Sequence, residues 1–124
     1  MNKKRPINLD LTTLKFPVMA ISSILHRISG VVLFLLLPFM LYLLSLSLRS
    51  PLSFNDLLIQ MQSPLYKLGI WAFLTALVYH LLAGVRHLFM DIGIGETLKS
   101  GRQSAIFVIS ASVILTFIVG MWIW

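Results

Sequence analysis

Two short clusters in this chain combine residue types that can do chemistry. The first is His80-Leu-Leu-Ala-Gly84-Val-Arg-His87-Leu-Phe-Met-Asp91. On a helix turning about 100° per residue, Gly84, His87 and Asp91 lie within about 40° of His80, on one face. The second is Ser22-Ser-Ile-Leu-His-Arg-Ile-Ser-Gly30. Here Ser23 and Arg27 are spaced i, i+4 and share a face that Gly30 extends, with His26 beside them.

A neutral imidazole is the commonest protein ligand for haem iron, so His80 reads as a metal or haem ligand. The alternative is a neutral histidine hydrogen-bonded to a neighbouring helix. Gly84, one turn away, leaves room for a flat macrocycle or for close helix packing. The hydroxyl of Ser23 and the guanidinium of Arg27 suit a quinone carbonyl, because preorganised donors stabilise the charge that develops on its oxygens. Arg27, or His26, could equally pair with a haem propionate, since guanidinium and carboxylate match bidentately. The plainest alternative leaves Arg27 as a snorkelling anchor at the membrane surface.

Which elements would position these groups follows from composition. The 124 residues are 58% hydrophobic and 11% charged, against about 45–50% and roughly 25% in soluble domains. Too few charges remain to coat a water-facing surface, and the expectation is a single-domain, all-α membrane protein. The chain has no cysteine, which excludes disulfides, cysteine-ligated iron–sulfur clusters and covalent c-type haem. Its net charge of +6 is scattered around apolar stretches rather than clustered on one face, so no nucleic-acid partner is expected.

Charge-free windows predict three transmembrane helices: residues 28–48, 68–85 with an extension to about 91, and 103–124. Each approaches the roughly 20 residues that cross a bilayer core. Residues 1–27 form an arm and the start of the first helix, which Pro17 opens before the hydrocarbon proper. Pro64 suits the first turn of the second helix. Segment 50–63 reads as a connection, and Gly93, Gly95 and Gly101 as helix breakers in the second loop. Pro38 is expected to bend the first span.

Lys3, Lys4, Arg5, Lys15, Arg27, Arg86, Lys99 and Arg102 fall on one side of this layout, and Arg49 and Lys67 on the other. The positive-inside rule then predicts a cytoplasmic N-terminus and a periplasmic C-terminus, with Trp122 and Trp124 in an interfacial belt. The first apolar stretch is long and begins late for a cleaved signal peptide, and residues 1–16 do not resemble a mitochondrial transit peptide. The expected location is a bacterial inner membrane.

His80 is the one ionisable residue well inside a span, about 9 Å beyond Arg86 at 1.5 Å per residue. His26 and His87 lie nearer the boundary. If His80 binds a six-coordinate haem, the partner ligand most simply comes from another polypeptide.

The two clusters carry a resemblance. Segment 5–30 has the form Arg-Pro, an apolar spacer, then Ser-x-x-His-Arg-x-Ser; segment 80–93 has the form His-x-x-x-Gly-Val-Arg-His-x-x-x-Asp-x-Gly. Together they resemble the cytochrome b subunits of succinate dehydrogenase, in the proteobacterial type with a flavoprotein, an iron–sulfur protein and two small membrane anchors. The likeness extends over nearly the whole chain. It implies that His80 is an axial ligand of a haem b shared with the second anchor subunit. It implies that Ser23 and Arg27 line a ubiquinone pocket near the iron–sulfur subunit, with Arg27 also towards the haem propionates. His87 and Asp91 would be supporting polar positions. Such a chain would not be an enzyme by itself but a membrane subunit of succinate:quinone oxidoreductase. Two alternatives are the anchor of a menaquinone-linked fumarate reductase and a haem-free structural or transport subunit.

Overall fold

A computed structural model describes Ile7, Leu9, Asp10, Thr12 and residues 15–124, which fold into four helices: α1 (Val18–Arg49), α2 (Pro51–Gln60), α3 (Pro64–Asp91) and α4 (Leu98–Ile123). Lys3, Lys4 and Arg5 of the expected arm lie outside the described residues. Helices α1, α3 and α4 are each long and apolar enough to cross a membrane, as the charge-free windows predict. The described chain is all-helical.

Local chemistry sets the helix starts. Pro17 precedes α1 in an extended conformation. Pro64 opens α3 at its first turn, behind Ser63, whose hydroxyl accepts from the Tyr66 amide. Thr97 Oγ1 caps α4 by accepting from the Ser100 amide at 3.2 Å. Helix α1 runs on through Pro38. At the end of α3, Gly93 (φ 86°) and Gly95 (φ 78°) take the left-handed conformation that ends a helix cheaply only at glycine.

Two expectations are corrected. Segment 50–63 is not simply a connection, because Pro51–Gln60 forms α2. Ser50 caps it by accepting the Ser53 amide at 3.1 Å, and the Ser53 hydroxyl donates to the Leu46 carbonyl of α1 at 2.8 Å. Leu57 is buried by this fold-back. Gly101 does not break the chain either. It is the fourth residue of α4, buried, and a Cβ there would meet Met19 Sδ of α1 at 2.7 Å.

The helices pack through small residues. Ala76 and Ala83 of α3, and Gly101, Ala105, Ser112 and Gly120 of α4, are all buried. Between lipid-soluble helices there is little hydrophobic driving force, and close backbone approach supplies van der Waals contact instead. The large apolar side chains point outward: Phe34 is 75% exposed and Phe117 64%. In water such a surface would aggregate, whereas in a bilayer it is solvated. Lys67 Nζ lies 5.7 Å from the ring centroid of Trp124, so the start of α3 and the C-terminus share one end of the bundle.

Candidate functional site

Helices α1 and α3 are adjacent and meet near the start of one and the end of the other. Two glycines there act as reciprocal sockets. A Cβ on Gly30 of α1 would stand 3.2 Å from His80 Cε1, and a Cβ on Gly84 of α3 would stand 3.5 Å from His26 Nε2. Each helix thus offers a bare backbone to the other's imidazole. The space beside Gly84 is taken by His26, which favours helix packing over a macrocycle against that glycine.

The three histidines form a column. The His26 ring stacks on His80 with centroids 4.2 Å apart and planes 24° apart, and on His87 at 4.9 Å and 20°. His26, from the other helix, is therefore the middle member. Counting residues along each helix set His26 apart from His80 in depth, but the packing brings their rings into contact.

His80 is held through one nitrogen. Its Nδ1 lies 3.0 Å from Ser29 Oγ and 3.2 Å from the His26 carbonyl oxygen. The Ser29 hydroxyl donates to that same carbonyl at 2.7 Å. With its one proton committed there, Ser29 Oγ can only accept from His80, and the carbonyl can only accept in any case. Nδ1 must then carry the proton. In a neutral imidazole this network selects the tautomer whose Nε2 has a free lone pair, and among the described residues no hydrogen bond engages Nε2. A fixed Nδ1–H and an open Nε2 are what a metal-ligating histidine requires.

Around this centre Tyr79 donates its hydroxyl proton to the Ser22 carbonyl at 2.8 Å, tying α3 to α1 one turn before the stack. Its oxygen also lies 3.2 Å from the Ser22 hydroxyl, which is fully buried. His87 Nδ1 pairs with the Ala83 carbonyl at 2.6 Å. The Nε2 of His26 is buried and without a partner, the sole side-chain polar atom in that condition among the described residues.

The remaining expected residues fall around this core. Ser23 is half-buried and Arg27 exposed, and neither side chain makes a hydrogen bond among the described residues. They lie on the segment of α1 that carries His26 but do not join the stack. Asp91 is exposed at the last residue of α3, one turn beyond His87, and its side chain makes no hydrogen bond among the described residues. Outside the spans, Asp10 accepts from the Thr12 hydroxyl and amide, which holds its carboxyl below the ordinary carboxylate range.

Sequence reasoning missed Ser29 and misread Arg86. Ser29 stands in the quoted cluster, yet its partner is 51 positions away, and periodicity within one helix carries no cross-helix register. Arg86 was counted as a flanking charge. It is 7% exposed, donating through Nε to Ser104 Oγ at 2.9 Å and through Nη2 to the Gly101 carbonyl at 3.2 Å.

Fold and site together define a helical membrane-spanning subunit with a ligand-competent histidine between two of its helices. Comparison with known proteins makes this particular. Residues 1–119 match the family model described as succinate dehydrogenase/fumarate reductase transmembrane subunit. A succinate dehydrogenase cytochrome b556 subunit of Coxiella burnetii is 50% identical, with the whole of both chains covered. That of Rickettsia typhi is 34% identical over 97% of this chain and 92% of its own. That of Paracoccus denitrificans is 34% identical over 90% and 85%. The chain belongs to the succinate dehydrogenase/fumarate reductase transmembrane-subunit family, in its cytochrome b branch, and its place is a bacterial inner membrane.

Proposed function

We propose that this chain is the haem b-binding membrane anchor of a succinate dehydrogenase, with no catalytic centre of its own. The observation that carries the proposal is the tautomer imposed on His80 by Ser29 and the His26 carbonyl, which leaves Nε2 unprotonated and unpartnered. Cytochrome b names on relatives that match the chain along most of its length supply the identity of the ligand. The bound haem b would supply one-electron redox chemistry.

The protein's own residues have distinct tasks in this reading. His80 would hold the haem iron through its Nε2. His26 positions it with a carbonyl on one side and a ring face on the other, and His87 backs the stack. His87, with Nδ1 on the Ala83 carbonyl, meets the same hydrogen-bond condition, and it is the depth of His80 within its span that favours His80. The second ligand to the iron would come from a second small anchor subunit. An iron–sulfur subunit and a flavoprotein complete the complex, and succinate is oxidised on the flavoprotein.

Ser23 and Arg27 serve ubiquinone. A half-buried hydroxyl and an exposed guanidinium with no hydrogen bonds among the described residues are donors left for a ligand at the subunit interface. Oriented donors of this kind stabilise negative charge on a quinone oxygen as electrons arrive. This end of the bundle, bearing most of the basic residues, faces the cytoplasm and the soluble subunits.

The test is made on the assembled complex. His80→Leu is expected to remove or alter the reduced-haem bands of the visible spectrum, and unchanged bands with unchanged haem content refute the ligand assignment. Ser23→Ala and Arg27→Ala are expected to slow succinate–quinone reductase activity by roughly tenfold or more, the scale of one charge-assisted contact. Succinate oxidation with an artificial acceptor should survive. Equal loss of both activities would instead mean defective assembly and would refute the quinone role.

A further inference from the structure

Arg86 is used on one side only. A guanidinium carries five N–H donors and stays charged under all ordinary conditions. Its Nε–H donates to Ser104 and one Nη2–H to Gly101, leaving three. The two on Nη1 are not sealed in, because the buried polar atom without a partner among the described residues belongs to His26. No carboxylate among the described residues forms an ion pair with it. A nearly buried cation at the edge of the bilayer, neutralised only by a hydroxyl and a carbonyl, is costly and calls for an anion.

The surroundings state what kind. Arg86 lines a cavity of about 290 Å³ between α3 and α4, whose other walls include Leu82, Val85, Phe89, Phe107 and Val108. Val85 is 49% exposed, Phe89 50% and Phe107 68%, so the cavity opens on the lipid-facing surface. Six residues separate Arg86 from His80, which turns it about 120° around α3 and away from the haem side. Lys99 and Arg102, exposed on the first turns of α4, flank the Gly101 carbonyl that holds the guanidinium. A fixed positive charge at the head of an apolar cleft matches a molecule with an anionic head and a hydrocarbon tail.

We propose that the cleft between α3 and α4 binds an anionic phospholipid, its phosphate on the Arg86 guanidinium and an acyl chain along Leu82, Val85 and Phe107. Charge complementarity fixes the head and the apolar walls fix the tail. The site is independent of haem and quinone.

The experiment uses the complete purified complex in detergent, offered soluble short-chain phosphatidylglycerol or phosphatidylcholine, with bound lipid counted by native mass spectrometry. The wild-type complex is expected to retain phosphatidylglycerol in preference to phosphatidylcholine, and inorganic phosphate at the same concentration should not displace it. Arg86→Gln should weaken retention roughly tenfold, the scale of one charge-assisted phosphate contact. Because Arg86 also ties α3 to α4, Val85→Trp provides a second variant that fills the exposed wall without touching those bonds, and it should weaken retention likewise with haem bands unchanged. Equal retention by Val85→Trp and wild type overturns the proposal, as does equal binding of the two lipids. Displacement by inorganic phosphate would reveal a bare anion site, and detachment of a neighbouring subunit from Arg86→Gln with no lipid bound to wild type would reveal a protein carboxylate; either result also overturns it.

Discussion

The α1–α3 seam and the α3–α4 seam are both built on small residues, yet they treat polar groups in opposite ways. At α1–α3, Gly30 and Gly84 admit rings, and three imidazoles stack with a serine and a carbonyl fixing one of them. At α3–α4, Arg86 spans the gap to Ser104 and Gly101, and the Trp71 indole donates to the Thr116 carbonyl at 2.9 Å beside Gly120. In the first seam hydrogen bonds fix His80 through Nδ1 and leave its Nε2 without a partner among the described residues. The second commits the Trp71 indole and two of the five Arg86 donors to carbonyls and a hydroxyl, which fastens the helices together, and leaves the rest of the guanidinium towards the cleft between α3 and α4. Burial alone does not separate a ligand site from a structural clasp; which atoms remain uncommitted does.

Substitutions in the two seams should therefore have separable consequences. The largest effect is expected from Gly30→Val. Its Cβ would already stand 3.2 Å from His80 Cε1, and two further methyl groups leave the imidazole no place in its present rotamer. The assembled complex should lose most of its haem, measured as the pyridine haemochrome. Full haem content in this variant would mean that the ring is not held where the seam places it.

Arg86→Met tests the other seam. Two hydrogen bonds are lost, while the Ser104 hydroxyl keeps its own bond to the Gly101 carbonyl at 3.1 Å. The expected cost is about 1–3 kcal/mol, within the range for removing one partner from buried polar groups. It should appear as a lower melting temperature of the complex with an unchanged haem spectrum. A spectral change equal to that of Gly30→Val would erase the distinction between the seams.

Ser29→Ala should produce the smallest change. His80 Nδ1–H loses its nearer acceptor but keeps the His26 carbonyl at 3.2 Å. The haem should remain, with its midpoint potential shifted by the loss of a bond worth about 1 kcal/mol. Redox titration of wild type and variant measures this directly, and identical potentials would show that the serine does not bear on the ligand.

How much of this was legible in the sequence depended on distance along the chain. The spans were, because charge-free windows bounded by Arg49, Lys67 and Arg86 answer to a solvent that admits few charges. The starts at Pro17 and Pro64 were, because proline's chemistry is local. Helix α2 is ambiguous in one dimension: its Ser50-Pro51 start repeats the signal at Ser63-Pro64, but ten residues containing Asn55 and Asp56 also suit a loop. Gly101 suits a breaker in one dimension, because spacing along the chain does not show Met19 lying against it. His80 stood out by its depth, and its placement on a helix face near Gly84 was correct. The meaning of that glycine was not available, because only the register between α1 and α3 reveals that His26 fills the space. Ser29 and Arg86 were hidden for the same reason, as both act on residues of a different helix.

The central claim is that His80, alone of the three stacked histidines, supplies an imidazole to iron. The most direct measurement is the low-temperature electron paramagnetic resonance spectrum of the oxidised complex carrying His80→Gly, recorded with and without free imidazole. The account predicts that the low-spin signal of a two-imidazole haem is lost or altered in the variant and returns when imidazole enters the space the side chain has left. A wild-type signal in His80→Gly without added imidazole would contradict it.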